Sequence, residues 1–548
     1  MRRTKQEEAL MEFQASPLTD ELITQPPLES VENSLAIKPN DLEKAVNSQA
    51  VRKPRRIGFS RPGMEIVDLP TPEEAFKVNH VGLEEMILFV LGPGLIALAV
   101  SFGRGAWLSA PLIAAQGGLT GRGWIILVSA ILQVFYIVEL ARFTIATGET
   151  PIVAFGRIPP GFLFWVPLAL LCLFTSFILG GWTVNAGEYL FALFTGHQST
   201  PVDAEVIRVL VIGLLLSTFL FVGFGRKIER SLEATQSILI VFALISLVMV
   251  SLVIVPAGYW MKSLVSWLAP VLPSKSTDLS LLGTLAGITA LASGLNFMIV
   301  GYYRDKGYGM GHQAGFISSF LSRQQKGLLP SGKVFPENER NSATWKRWFR
   351  YLIVDQWVVY FGGMMIAMFV PSILISYLAS LPGVTQPDKN SILLFAATQL
   401  GKAYGPVLFG WALIIGFIIL YSTQIIVLEL LARNMADAIY SLSFPIRRSI
   451  QQDPRRLYYP TMFILVILIG VVIHLNIPSQ LMQIAANIAN FAGLIFPLAM
   501  VYLNSQLPKP ARISWWSTIV LIANALFFGF FFLNFLSIQT IGRPLLMF

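Results

Sequence analysis

The stretch from Phe89 to Pro111, FVLGPGLIALAVSFGRGAWLSAP, constrains this chain more than any other. It is long and apolar enough to cross a bilayer, yet it carries Gly103, Arg104 and Gly105, two helix-weakening residues around a full positive charge. An arginine at the centre of a spanning helix costs about 2.5–3.5 kcal/mol on insertion scales. The combination predicts a break in the helix, and a helix broken at the membrane midplane is where a transporter keeps its site.

The rest of the chain agrees with a membrane solvent. Hydrophobic residues make up 54% of the 548 and charged residues only 13%, with a mean hydropathy of +0.64, so repeated apolar runs of spanning length are expected. We read an all-α polytopic membrane protein with about eleven spans, at roughly 85–110, 123–147, 161–182, 206–224, 235–256, 282–302, 351–378, 404–432, 459–475, 479–503 and 513–535. The net charge of +9 implies no nucleic-acid partner, because the basic residues lie between the spans, where they orient the chain. Arg226, Lys227 and Arg230, the segment 303–350, then Arg433, Arg447, Arg448, Arg455 and Arg456 fall on one side. That asymmetry predicts a cytoplasmic N-terminus and an outside C-terminus.

Residues 1–84 are polar, mixed in charge and rich in proline, and are expected to be a disordered cytoplasmic tail. Its basic cluster, Arg52 to Arg61, reads as a solvated flank rather than a lipid-binding patch. The segment 303–350, which contains YRDKGYGMG, Trp345 and Trp348, is expected along the cytoplasmic interface. The lone cysteine, Cys172, excludes an internal disulfide and a thiolate cluster, and no cofactor is implied.

Span six, LGTLAGITALASGLNFMIVGY, repeats the polar, glycine-marked interior of span one, with Ser293, Gly294, Leu295 and Asn296 at its centre. Five spans precede it. An odd number of helices per repeat turns the second repeat upside down, so the solute site is expected between spans one and six. Gly180, Gly181, Gly362, Gly363 and Gly416 read instead as packing glycines. Glu139 and Arg142 are spaced to pair on one helix face, Glu429 and Arg433 are expected at an interface, and Met298 in the core. Asn487 and Asn490 share a face of span ten, where amides need partners or a hydrated cavity.

The motif LGPGLIALAVSFGRGAW resembles the first span of the Nramp divalent-metal transporters, and the resemblance continues through GRGWIILVSAILQVFYIVELARFTIATGETP. It extends over about residues 85–505 and points most closely to a bacterial Nramp-related branch with a YRDKGYGMG-like segment after span six. It implies a LeuT-type fold: one five-helix repeat over 85–256, an inverted second over 257–505, and an extra span within 506–548. The family's metal-binding motifs, Asp-Pro-Gly-Asn and Met-Pro-His, would fall on Gly103, Arg104, Gly105 and Ala106 and on Ser293, Gly294 and Leu295. Only Gly105 matches. Neither the carboxylate nor the soft sulfur that would hold a transition metal is there.

No enzyme motif is present. Three functions stay open. The first is a secondary transporter of the Nramp-related type that moves a metal ion or other small solute, with a proton as a candidate coupling ion. The second is a LeuT-fold carrier of an anionic or amino-acid-like solute, with Arg104 as counter-charge. The third is a non-transporting membrane sensor or scaffold. For either carrier the expected solute-binding set is Gly103, Arg104, Gly105, Ala106, Ser293, Gly294, Leu295, Asn296 and Asn490.

Overall fold

The computed structural model describes residues 66–79, 82, 92–178, 181–224, 228–271, 279–291, 293–315, 317, 328–387, 392–473 and 478–545. Seven helices among them are long and apolar enough to cross a membrane: Trp124–Thr147, Pro201–Gly223, Thr235–Ile254, Glu339–Ala379, Pro406–Leu442, Ile484–Ser505 and Trp515–Ile541. These are spans two, four, five, seven, eight, ten and eleven. Span one is built of helix Gly92–Ser101, a π-helical segment Phe102–Ser109 and helix Ala110–Ala115. Span three is Phe162–Ile178, with a second helix, Trp182–Thr195, after the left-handed Gly181; span nine is Arg455–Ile473. Span six is the pair Leu279–Thr289 and Asn296–Asp305, joined by a short 3-10 turn Ser293–Leu295. The chain is an integral membrane protein.

Burial separates core from rim. Spans two and eight are 72% buried although both are strongly apolar, whereas spans four and five are only 33% and 28% buried. Side chains such as Val209, Leu216, Ile245 and Leu252 therefore face outward, which suits a lipid solvent, and spans two and eight form the interior of the bundle. Span one packs on spans seven and eight, the first half of span six packs on spans ten and eleven, and the second half of span six packs on span two.

Several expectations are corrected here. The tail is not disordered up to residue 84: residues 66–77 form a strap along the N-terminal end of span seven. Val67 donates to the carbonyl of Val334 (3.1 Å), the Leu69 amide donates to Asn341 Oδ1 (3.0 Å), and Trp348 Nε1 donates to the carbonyl of Pro70 (2.8 Å). Thr71 and Glu74 close a reciprocal capping box on helix Pro72–Phe76, and Phe76 packs edge-on against Tyr308 and Trp348. The cluster Arg52–Arg61 lies outside the described residues. Nor does the YRDKGYGMG stretch lie flat at an interface, because Tyr303, Arg304, Asp305, Tyr308 and Met310 are all buried, as are Trp345 and Trp348.

The glycines divide. A Cβ on Gly416 would meet the Tyr189 ring at 2.4 Å and one on Gly363 would meet Leu98 at 2.3 Å, so both are packing glycines. Gly362 faces open space and is not there for packing, and Gly181 takes a positive φ that favours glycine. Gly180 lies outside the described residues.

Candidate functional site

Span six is interrupted, and it is interrupted earlier than the glycine at 294. Regular helix ends at Thr289, and Leu291 takes a left-handed conformation, φ 53°, that costs a branched residue about 1–2 kcal/mol. A helix ending there leaves carbonyls without intrahelical donors. One of them is supplied from span seven: the Tyr360 hydroxyl donates to the Thr289 carbonyl at 3.5 Å and shares a 3.3 Å hydrogen bond with the Ser101 hydroxyl of span one. Tyr360 thus joins the three elements where the site was expected.

Span one is not broken at Gly103. Its backbone stays helical and widens into the π-helical segment Phe102–Ser109, a form that shifts backbone bonds out of the ordinary ladder. Gly103 is there because span eight comes within contact. A Cβ at 103 would stand 2.1 Å from Thr423 Oγ1, and that hydroxyl is already committed, donating to the carbonyls of Ala99 (3.1 Å) and Ile419 (2.8 Å). The backbone of Arg104, Gly105 and Ala106 continues the π-helical segment; the side-chain surroundings of Arg104 and Ala106, and of Ser293, lie outside what the structure describes.

The other expected residues point to different neighbours. Gly294 is seated on the backbone of Cys172 in span three, 3.1 Å from where its Cβ would be, so it is a packing glycine. Leu295 is buried and immediately precedes the second helix of span six, Asn296–Asp305. Asn296 makes a reciprocal amide pair with Gln133 of span two: Asn296 Nδ2 donates to Gln133 Oε1 at 3.0 Å and Gln133 Nε2 donates back to Asn296 Oδ1. Asn490 Nδ2 donates to the Gly283 carbonyl at 2.8 Å while its Oδ1 is buried without a hydrogen-bond partner, and Asn487 Nδ2 donates to Thr284 Oγ1 at 3.2 Å. Met298 is fully buried in the core, as expected.

The groups gathered on spans one, two, six, seven and eight are hydroxyls and amides. Ser109 Oγ, Ser129 Oγ, Tyr136 Oη and Gln424 Nε2 are buried without a hydrogen-bond partner, a state that costs about 1–3 kcal/mol each when nothing fills it. Among the described residues no three His, Cys, Asp or Glu side chains come together as a metal site.

Charge is concentrated toward the C-terminal ends of spans two, six and eight. Arg142 pairs with Glu139 at 2.8 Å as expected, and Asn504 Nδ2 donates to Glu139 Oε2 at 2.9 Å. Glu429 and Arg433, expected at an interface, are buried instead and belong to a network of two arginines and three carboxylates, none more than 6% exposed. Arg433 binds Glu429 (2.5 Å) and Asp305 (2.9 Å); Arg304 binds Asp305 (2.9 Å) and Asp437 (2.8 Å). Thr150 donates to Asp437 at 3.0 Å and brings in the loop after span two. The network ties the RD pair of span six to span eight. A second cluster joins Tyr303, Asp355 and Gln356, the first of these donating to the carboxylate.

Gln133, Tyr360, Thr423 and Asp355 were not singled out in the sequence. Gln133 and Asp355 carried a signal, a polar side chain inside an apolar run; Tyr360 and Thr423 carried none.

No protein-family model matches the chain, and no curated protein does. Among solved structures it is similar to a point mutant of the Eremococcus coleocola manganese transporter, with a TM-score of 0.55 and 17% identity over 87% of this chain and 90% of that one. It is also similar to MhsT in complex with L-phenylalanine, with a TM-score of 0.51 and 16% identity over 80% of this chain and 97% of that one. At such identities the likeness is one of fold: LeuT-type, with inverted five-helix repeats and about eleven spans, as the Nramp resemblance implied.

Proposed function

We propose that this protein is a secondary transporter that carries a small polar solute by alternating access, through a site where the π-helical segment of span one faces the interrupted span six. The observation that carries this reading is the meeting of Ser101, Tyr360 and Thr289 at the interruption, in surroundings of amides and hydroxyls. A fold by itself hosts many functions, and the two similar structures, one of a manganese transporter and one holding an amino acid, illustrate this, so the solute class has to come from the donors. Hydroxyls and amides suit a solute with its own donors and acceptors; a dehydrated transition metal calls for carboxylate, imidazole or sulfur. In this reading the N-terminus is cytoplasmic, the C-terminus is outside, the membrane is the inner membrane of a bacterium, and the repeats run over 85–256 and 257–505.

Uptake into proteoliposomes of a panel of neutral amino acids, small amides, polyols, a monocarboxylate, Mg²⁺ and Mn²⁺ tests it. Uptake of a neutral polar solute is expected. Saturable Mn²⁺ uptake that competes with every other solute would overturn the solute class, monocarboxylate uptake lost in Arg104→Gln would move the site to the arginine, and no flux of any kind would favour the scaffold.

A further inference from the structure

The inner ends of spans one, six and seven meet around a carboxylate that the transport reading leaves unused. Asp355 has no exposed surface and opens the π-helical segment Asp355–Phe361 of span seven. Its side-chain donors all go to one oxygen. The Tyr303 hydroxyl donates to Oδ2, and Gln356 Nε2 donates to Oδ2 at 3.3 Å and to the Tyr303 hydroxyl oxygen at 2.7 Å. The other oxygen, Oδ1, lies against Gly94 on the inner half of span one, facing its amide but without a hydrogen bond of ordinary geometry. Gln356 Oε1 accepts none either. Two buried acceptors in one cluster are therefore short of a donor, and a buried polar atom left so is the kind that asks for a missing partner.

Space decides what that partner is. A Cβ at Gly94 would stand 2.5 Å from the Asp355 carbonyl oxygen and 2.7 Å from Oδ1, so span one is already in contact with the carboxylate. A metal ion gathers a shell of about six oxygens, and this joint has no room for one. A proton needs no room. It also discharges the carboxylate, and an ionised carboxylate is costly where no water reaches it. The titratable groups that face Asp355 are Tyr303 and Lys306, both at the inner end of span six. Tyr308 stands behind Tyr303 with ring centroids 5.0 Å apart; helix Gly92–Ser101 of span one carries no titratable side chain, and span two brings Phe135 against Trp357 in the next turn. The Lys306 charge tolerates the ionised form, so both protonation states have a place.

We infer that Asp355 is a proton-binding site, loaded and released as the inner half of span one moves against span seven, and that the proton it takes is the coupling ion of the transporter. The inference rests on the transport reading for its purpose but not for its test. The full chain in liposomes is titrated between about pH 4 and 9 and the carbonyl band of protonated carboxyl groups is followed by infrared difference spectroscopy. One titrating band should vanish in Asp355→Asn. In Tyr303→Phe it should remain and move to higher pH, reflecting about tenfold or more tighter proton binding, because a hydrogen bond to the ionised form has been removed. Unchanged elution and unchanged melting of the Tyr303→Phe protein keep that arm readable if Asp355→Asn misfolds. A spectrum with no band that depends on Asp355 or Tyr303 overturns the inference, as does a titration that shifts when Na⁺ replaces choline. A titrating band with no flux of any solute would instead defeat the transport reading while leaving the proton site standing.

Discussion

Replacing Gly103 by alanine tests whether this glycine is a contact or a hinge. The added methyl would lie 2.1 Å from Thr423 Oγ1, 2.7 Å from its Cβ and 2.8 Å from its Cγ2. Ordinary carbon contacts are about 3.5–4.0 Å, so the two spans would have to part by about 1 Å. Thr423 cannot simply rotate away, because its hydroxyl holds the Ala99 and Ile419 carbonyls. Overpacking of this kind costs about 1–3 kcal/mol. Thr423→Ala should not rescue it, since the Thr423 Cβ is itself too close. Thr423→Gly should recover most of the loss, less about 1 kcal/mol for glycine inside a helix. Cys172 is buried and is the chain's one cysteine, so a thiol-reactive dye reports the melting of each variant and of the double mutant directly. A Gly103→Ala protein that melts like the parent but has lost transport would refute the contact and restore the hinge.

Removing either amide of the Gln133–Asn296 pair, for example by Gln133→Ala, strands the other in the core and should cost about 1–3 kcal/mol; replacing both by leucine should cost less than the sum, as a double-mutant cycle on melting would read. Arg433→Met leaves Asp305 and Glu429 buried with less compensation, and should cost about 3–5 kcal/mol on the same assay. The strap is a milder case. The hydrogen bond from Arg347 holds the Glu73 carboxyl below the usual carboxylate range, so the pair stabilises at neutral pH and its contribution is lost only as pH falls through that lowered value. Its arginine is 42% exposed, so Glu73→Gln should loosen the strap by no more than about 1 kcal/mol near pH 7 and match the parent in strong acid, as trypsin cleavage at Lys77 or a melting curve would register.

Span count was legible because an apolar run of spanning length needs no tertiary knowledge to recognise. The interruption of span six was legible from Gly294 and Asn296, although the chain turns at Leu291, whose left-handed backbone no side-chain pattern announces. What Asn296 touches was not legible, since Gln133 lies 163 residues away. The Gly-Arg-Gly of span one pointed to a weak helix, but whether weakness becomes a break or a π-helical segment depends on the close approach of Thr423. Burial of Arg304, Asp305 and Arg433 went unread for the same reason: each charge is acceptable inside only with partners drawn from other spans. The strap had a local signal, the Thr71 to Glu74 capping box ahead of Phe76, which the proline-rich and polar composition around it concealed.

If the chain works by alternating access, these contacts limit which parts move. Span eight is joined to the inner half of span six by the Arg433–Asp305 ion pair and to the middle of span one by the Gly103–Thr423 contact. Separating span six from span eight would uncover buried charges, and the cost of stranding them makes that the harder motion. Among the described residues the first half of span one makes no ion pair with span seven; the two are held by the Ser101–Tyr360 hydrogen bond and by packing of Leu98 on Gly363. At Gly94 it rests on Asp355 through van der Waals contact and a backbone amide, and its own residues from Gly92 to Ser101 bear no charge. The joint that can open without stranding an ion pair is therefore the one that encloses the carboxylate, and once opened it would expose that carboxylate to water. Proton binding at Asp355 would then report directly on the position of span one, which is what coupling requires: a ligand shifts a conformational equilibrium only by its difference in affinity for the two states.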